Sequence, residues 1–215
     1  MLMHYMQVSD KRKSSTRLVR LLWHPGELTI IATTTVRKRQ EGLMGVKDQG
    51  IDVSRQRYQV IPRVLIFITH KDDVLLLKGA PTKQIWPNLY NGVGGHVERD
   101  ESVLDAARRE IAEEVGLEHV DNLRLRGVVN IATDDTRTGI MMFVYTASSP
   151  TREVRGSHEG TPEWINPAHL SAEDCVADLP ELIPRVLAMK DDDPPFFARY
   201  WYDEHDALQM AFSTP

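Results

Sequence analysis

The sequence has little cysteine and no long apolar run, and both absences restrict what the chain can be. Cys175 is the single cysteine among 215 residues, so neither an intramolecular disulfide nor a cysteine-based metal cluster can form. No apolar run approaches the roughly 20 residues that a membrane helix needs, and residues 1–16 lack the apolar segment of a signal peptide. We therefore expect a cytoplasmic protein in which Cys175 is a small buried residue rather than a reactive thiol.

A large excess of one charge is also missing. The formal net charge is −5, which excludes a chain that binds polyanions over its whole surface. Basic residues nevertheless outnumber acidic ones within residues 1–56. We interpret this excess as a solvated face and do not expect nucleic acid as a partner. A homodimer formed through this segment, or an arm that docks on nucleic acid or on another chain, are the alternatives.

The first part of the chain predicts a small β unit. Two strand-like runs, residues 17–23 and 28–36, flank His24-Pro25-Gly26-Glu27, where proline followed by glycine is typical of a type II turn. Residues 42–50 have the composition of a linker. We therefore divide the chain into an N-terminal extension, residues 1–56, formed by a β-hairpin and a linker, and a main domain, residues 57–215.

Strand and helix patterns interleave in the main domain without a regular βαβ alternation. Strands are predicted over residues 58–69, 74–78, 125–132, 140–148, 196–202 and 207–212. A helix is predicted over residues 102–115, with apolar residues along one stripe and Gly116 as its C-terminal stop, and a second over residues 178–189. This order favours an α/β (α+β) domain in which a mixed sheet packs between helices.

The first predicted helix carries three glutamates on one face. Glu110, Glu113 and Glu114 lie at positions i, i+3 and i+4, so their carboxylates are expected within about 5–6 Å of one another. Like charges at this spacing repel unless a cation lies among them. Oxygen ligands without histidine or thiol select Mg²⁺ or Mn²⁺ over zinc, and magnesium completes its octahedron with phosphate oxygens. The helix therefore predicts phosphoanhydride chemistry.

Small residues precede this helix in Gly92-Val93-Gly94-Gly95, where the backbone can approach a phosphate or a metal closely. This glycine loop matches neither the phosphate loop of kinases nor the dinucleotide fingerprint of dehydrogenases. Loop and helix together resemble the Nudix box, G-x5-E-x7-R-E-U-x-E-E-x-G-U with U apolar. A solvated acidic face would explain the glutamates but not the glycines or Arg109. The fixed positions of the box are filled by Gly95, Glu101, Arg109, Glu110, Ile111, Glu113, Glu114, Gly116 and Leu117.

The resemblance to Nudix hydrolases implies an α/β/α sandwich around a mixed sheet, covering roughly residues 57–215. It also implies a divalent cation, Mg²⁺ or Mn²⁺, that activates the attacking water. Among the catalytic residues, Arg109 would brace the loop and the helix through an ion pair with Glu101, while Gly95 and Gly116 have structural roles. The cation would be held by Glu110, Glu113, Glu114 and the Gly94 carbonyl.

The general base stays open at this point. Glu110, inside the box, is one candidate. Many family members use a glutamate from a later loop instead, and here the loop before Trp164 offers Glu159, which would also be an additional metal ligand. Glu163 is a weaker candidate in the same loop. Each of the two loop glutamates could instead be a solvated carboxylate.

Residues outside the box suggest the substrate. The segment that leads into the glycine loop resembles that of the oxidised purine nucleoside triphosphatases, in which an asparagine at the position of Asn91 contacts the purine. Asp178, the helix after it and the aromatic run 196–202 are similar to their acidic residue, helix and closing strand. Lys78 is a third candidate substrate-binding residue. We expect hydrolysis of a purine nucleoside triphosphate, native or oxidised, to monophosphate and pyrophosphate.

Alternative roles remain. No tryptophan closely precedes Asp178, which could simply be a helix N-cap. The substrate could be another nucleoside diphosphate derivative, ADP-ribose-like or a sugar nucleotide. Ala132-Thr133-Asp134 stands where ADP-ribose hydrolases often have a proline and diadenosine polyphosphate hydrolases a tyrosine. A third alternative is a Nudix-like module that senses nucleotides without hydrolysing them, although such modules usually have a broken box.

Overall fold

The computed structural model describes residues 3–10, 15–24, 27–37, 50, 57–158 and 160–213, and the chain divides into two compact units, Met1–Arg55 and Gln56–Pro215. Unit 1 contains an antiparallel sheet of β1 (Met3–Asp10), β2 (Ser15–His24) and β3 (Glu27–Arg37). Strands β2 and β3 cover the two runs predicted here, whereas β1 was not predicted because its apolar residues do not alternate strictly. The predicted turn at Pro25-Gly26 and residues 42–49 of the predicted linker lie outside the described residues.

Unit 2 is built from one mixed sheet and two α-helices in its described part. The strands are β4 (Gln59–His70), β5 (Asp73–Gly79), β6 (Tyr90–Asn91), β7 (Val93–His96), β8 (Asp121–Ala132), β9 (Thr138–Ser148), β10 (Gly160–Ile165), β11 (Phe196–Tyr202) and β12 (Leu208–Ser213). The helices are α1 (Val103–Val115) and α2 (Leu179–Ala188), with short 3-10 turns at Pro167–His169 and Ala172–Asp174. No helix among the described residues is long and apolar enough to cross a membrane.

The strand order of this sheet is β10-β5-β4-β9-β8-β11-β12, with β6 paired to β5 and β7 paired to β4. Two pairs, β4 with β9 and β8 with β11, are parallel, and the others are antiparallel. Strand β10 was not predicted from the sequence. It contains Pro162, which lacks a backbone N–H, and it accordingly lies at an edge of the sheet.

Two apolar cores lie on opposite faces of the sheet, and strand β4 contributes to both. Val64, Ile66 and Ile68 pack in the core that contains the buried residues of α1. Leu65 and Phe67, at the alternate positions, pack in the core that contains those of α2. Successive side chains of a strand point to opposite faces, and each fully buried side chain of this size contributes about 1.5–3 kcal/mol. The predicted α/β/α sandwich is therefore confirmed.

Helix α1 has defined ends that fix where its glutamates point. At its start, the Ser102 hydroxyl accepts from Asp105 N at 3.2 Å and donates to Asp105 Oδ2 at 2.7 Å. At its end, Gly116 adopts a left-handed conformation with φ of 69°, and its N–H donates to Ala112 O at 3.1 Å. These caps confirm the predicted helix and set its register against the sheet.

Candidate active site

The glycine loop and α1 meet so closely that a side chain at Gly95 would displace the Glu110 carboxylate. The Gly94 N–H donates to Glu114 Oε2 at 2.8 Å. A Cβ atom at Gly95 would lie 2.7 Å from Glu110 Cδ and 3.0 Å from Glu110 Oε2, so the carboxylate would have to shift. The β7 backbone therefore forms a cradle against the carboxylates of Glu110 and Glu114.

The three glutamates of α1 differ in how far they are buried. Glu110 is 9% and Glu114 6% exposed, whereas the side chain of Glu113 is 62% exposed. Burying a carboxylate is unfavourable unless it is paired or hydrogen-bonded. A purely solvated acidic helix face therefore does not describe Glu110 and Glu114, and their burial beside a glycine loop indicates a functional site.

Arg109 links the glycine loop to this carboxylate group. Its guanidinium forms a bidentate ion pair with Glu101, with Nη2–Oε1 at 2.8 Å and Nε–Oε2 at 3.1 Å, and Nη2 also donates to His96 O at 2.9 Å. On the other side, Nη1 donates to Glu110 Oε1 at 2.8 Å and to Glu113 Oε2 at 3.1 Å. The expected Glu101–Arg109 ion pair is therefore present, and Arg109 has two further carboxylate partners.

These contacts change the ionisation of both partners. The hydrogen bond to Glu101 is the main cause that raises the pKa of Arg109 above its ordinary value. The same hydrogen bond lowers the pKa of Glu101, and the backbone N–H of Glu98 lowers it further. Glu101 therefore stays ionised at more acidic pH than an isolated glutamate, so its ion pair with Arg109 persists across neutral pH.

The fit of a divalent cation depends on how the carboxylates are arranged. Within the part of the chain that the structure describes, no three acidic, histidine or cysteine side chains converge closely enough to hold a metal as they stand. Arg109 Nη1 contacts both Glu110 and Glu113 and supplies positive charge there. The donors themselves fit a hard cation, since all are carboxylate oxygens beside the Gly94 backbone. Glu113 is exposed, so its carboxylate could give up its contact with Arg109 and bind the cation instead.

We expect Gly95→Ala to lower the free energy of unfolding by about 1–3 kcal/mol, because the added methyl group would displace the Glu110 carboxylate. Urea unfolding would measure this loss. In a Glu110→Ala background the obstruction is gone, so the same glycine substitution should cost clearly less. An equal loss in both backgrounds would show that the methyl group does not act through Glu110.

The candidate general bases lie in different places. Glu159 lies outside the described residues. The Glu163 carboxylate accepts a hydrogen bond from the Tyr90 hydroxyl at 2.7 Å. Glu163 pairs across the strands with Leu76, which packs in the α2-side core, so Glu163 faces away from α1. Glu110 lies in the cradle, with one oxygen bonded to Arg109.

The candidate substrate residues surround strand β6. Lys78 pairs with Tyr90 across β5 and β6, and its ammonium lies 5.1 Å from the centre of the Tyr90 ring. Asn91 pairs with Leu77, a residue of the α1-side core, and its Oδ1 accepts from Gly92 N at 2.8 Å. Strand alternation therefore directs Tyr90, rather than Asn91, towards the α2 side.

Asp178 is brought towards β6 by backbone pairing. The Val176 N–H donates to Tyr90 O at 3.0 Å, and Asp178 follows two residues later as the N-terminal flanking residue of α2. Its side chain makes no capping hydrogen bond, and burial raises its pKa. Among the described residues, the structure gives no contact that joins the Asn91 and Asp178 side chains.

Tyr90 is a residue that the sequence analysis did not single out. Burial, followed by its hydrogen bond to Glu163, raises the pKa of Tyr90 to about 12, so its hydroxyl remains protonated and donates. Its position directly before Asn91, in the segment that resembles a purine-binding approach, was the available signal. Its contacts with Lys78, Glu163 and the residues before Asp178 could be identified only from the folded structure.

Known proteins are similar to this chain in sequence and fold. The model of the NUDIX domain family matches residues 60–186. A Nudix hydrolase of Deinococcus radiodurans is 27% identical over 164 residues, covering 66% of this chain and 95% of that protein. An uncharacterised Nudix hydrolase of Bacillus subtilis is 33% identical over 108 residues, covering 48% of this chain and 65% of that protein. The crystal structure of the MutT protein from Bacillus halodurans has the same fold, with a TM-score of 0.59 at 24% identity, covering 72% of this chain and 98% of that one. Because the family model spans more than half of the chain and includes the glycine loop, α1 and most of α2, the chain belongs to the Nudix family and is a hydrolase of nucleoside diphosphate derivatives.

Proposed function

We propose that this Nudix hydrolase cleaves a purine nucleoside triphosphate, native or oxidised, to the monophosphate and pyrophosphate. The main support for a purine comes from Asp178, a partly buried carboxyl at the start of α2 whose side chain makes no capping hydrogen bond. A helix-capping aspartate would bond the first backbone N–H groups of the helix. The absence of that bond supports a role towards a ligand.

We assign catalytic roles from the contact between the β7 backbone and the carboxylates of α1. Mg²⁺ or Mn²⁺, held by Glu110, Glu113, Glu114 and the Gly94 carbonyl, would neutralise phosphate charge and activate water. Gly94 N–H fixes one oxygen of Glu114, and the Glu101–Arg109 pair keeps α1 in register with the glycine loop. Glu159 is proposed to accept the proton of the attacking water and to contribute a further ligand oxygen, with Glu110 as the alternative base.

Recognition of the base would involve Asp178 and Lys78, and Asn91 would join them only if its side chain turned from the α1-side direction that β6 gives it. Burial raises the pKa of Asp178, so its neutral form, which can donate a hydrogen bond, persists nearer neutral pH than for an exposed aspartate. The Asn91 amide offers both a donor and an acceptor. The hydrogen bond from Val176 N–H to Tyr90 O supports a role of strand β6 in the same site as Asp178, because it brings β6 next to the segment that leads to Asp178.

A substrate panel tests the proposed reaction. Purine and pyrimidine triphosphates, ADP-ribose and a sugar nucleotide would each be supplied with Mg²⁺ or Mn²⁺, and the release of pyrophosphate, phosphate and monophosphate would be measured. We expect pyrophosphate from purine triphosphates at the highest kcat/KM. Preferred cleavage of ADP-ribose or the sugar nucleotide would replace the proposed substrate, and no turnover of any compound would favour a nucleotide sensor.

We expect Asp178→Asn to raise the apparent KM for purine triphosphates roughly tenfold, because an unpaired group is left at the bound base. Asparagine caps helices as well as aspartate does, so the unfolding temperature should change by no more than about 2 °C. Asp174→Asn, at an exposed position just upstream, is the matched control. Unchanged kinetics of Asp178→Asn on both purine and pyrimidine triphosphates would leave Asp178 without a role in base recognition.

A further inference from the structure

Arg63, in strand β4, carries a positive charge that no described carboxylate balances. Its Nε donates to His96 Nε2 at 3.2 Å, and no ion pair joins the guanidinium to an acidic side chain among the described residues. The imidazole supplies an acceptor but no negative charge. Arg63 is only partly exposed, and a cation that is partly removed from water without a counter-charge destabilises the folded protein. Arg109, by contrast, contacts three carboxylates.

Strand pairing places Arg63 beside the carboxylate cradle. Arg63 pairs with His96 across β4 and β7. The His96 backbone oxygen accepts from Arg109 Nη2 at 2.9 Å, and Nη1 of the same guanidinium donates to Glu110 at 2.8 Å. His96 also stands two residues after Gly94, which is about 7 Å along a strand. The unbalanced charge of Arg63 is therefore close to the group that would hold the cation and the reacting phosphates.

The course of the chain separates Arg63 from the proposed base site. Strand β6 runs antiparallel to β5, whereas β7 runs antiparallel to β4. Because β4 and β5 are themselves antiparallel, the chain reverses its direction at Gly92, between β6 and β7. Tyr90 therefore lies against β5, with the base site, while Gly94 and His96 lie against β4. Arg63 is on the β4 side of this reversal and beyond Gly94, where a phosphate chain would continue past the cation.

We propose that Arg63 is a specificity-determining residue that binds the terminal phosphate of the nucleoside triphosphate. This inference rests on the proposed triphosphate substrate. A guanidinium presents paired N–H donors that match two oxygens of one phosphate. Nη1 and Nη2 of Arg63 make no hydrogen bond to a described residue, while the bond from Nε to His96 orients the group. A terminal phosphate carries more negative charge than one esterified on both sides, so Arg63 favours a triphosphate over ADP-ribose or a sugar nucleotide.

Binding of inorganic tripolyphosphate in the presence of Mg²⁺ tests this contact without any reaction. Calorimetric titration of the full-length protein should give a Kd roughly tenfold higher for Arg63→Gln than for the parent, because one charge-assisted contact is lost. Arg63→Lys keeps the charge but not the paired donors, so its Kd should lie between the two. Arg57→Gln, at an exposed position just before β4, is the matched control and should bind as the parent does. The unfolding temperature of free Arg63→Gln should stay equal or rise, because an unbalanced charge is removed.

A matched pair of substrates assigns the contact to the terminal phosphate. One is a purine nucleoside triphosphate, and the other is its γ-methyl ester, which has one negative charge fewer at that phosphate. Arg63→Gln should raise the KM for the free triphosphate roughly tenfold, with kcat within about threefold, and should raise the KM for the ester clearly less. An unchanged tripolyphosphate Kd, an unchanged KM, or equal penalties for the two substrates would each overturn the inference. If the parent hydrolyses no nucleoside triphosphate, the proposed function fails, whereas the tripolyphosphate titration still decides whether Arg63 binds a phosphate end.

Discussion

Glu114→Gln is expected to reduce metal-dependent turnover on the order of 10³-fold or more, corresponding to several kcal/mol of transition-state stabilisation. Glu114 is 6% exposed and accepts the Gly94 N–H at 2.8 Å. Glutamine keeps an oxygen for that hydrogen bond, so the cradle and the fold should persist. What is lost is a negative charge at a buried position, which the proposed cation requires.

Three measurements separate this effect from a loss of structure. Calorimetric titration with Mg²⁺ or Mn²⁺ should show weakened binding to the variant. Thermal unfolding in the presence of a chelator should match or exceed that of the parent, because repulsion between neighbouring carboxylates is relieved. Glu118→Gln, at an exposed position just after α1, should retain full activity. Turnover by Glu114→Gln within about threefold of the parent would remove Glu114 from the metal site.

Helix α1 shows why much of the site could be predicted from the sequence. Its start, its end and the position of each glutamate are set by interactions within a short stretch of chain, such as the Ser102 cap and the left-handed Gly116. The ion pair of Glu101 with Arg109 also lies within one motif. Local signals of this kind can be recognised in the sequence without knowledge of tertiary contacts.

Spacing on a helix could not reveal how differently the glutamates are buried. Positions i, i+3 and i+4 share one face, yet only Glu110 and Glu114 are covered by β7, while Glu113 lies at the solvent margin with Arg109. Burial depends on which strand packs over the helix. The sequence motif contains no information on that packing beyond the requirement for glycine at Gly95.

The proposed base site depends on contacts between distant parts of the chain. Tyr90 bonds Glu163 and pairs with the segment before Asp178, and neither contact follows from a periodic pattern. Non-local hydrogen-bonding partners are the features that residue patterns predict least well.

Glu159→Gln is expected to lower the maximal rate by about 10²-fold or more, the usual scale for losing a general base, with little change in metal affinity. Glu159 lies outside the described residues, but the chain around it is placed. Arg155 N–H donates to Val115 O at 3.0 Å, so the segment passes the C-terminal end of α1.

The rival bases give different results in the same experiment. Glu163 is bonded to Tyr90 and faces away from α1, so Glu163→Gln should not alter the acid limb of the pH–rate profile, whereas Glu159→Gln should abolish it. Glu153→Gln, exposed in the same segment, controls for a change of loop charge. If a high metal concentration restored the activity of Glu159→Gln, Glu159 would be a metal ligand and not the general base, because a missing base cannot be replaced by more metal. An unaffected maximal rate would transfer the role to Glu110, whose oxygen already lies in the cradle beside Arg109.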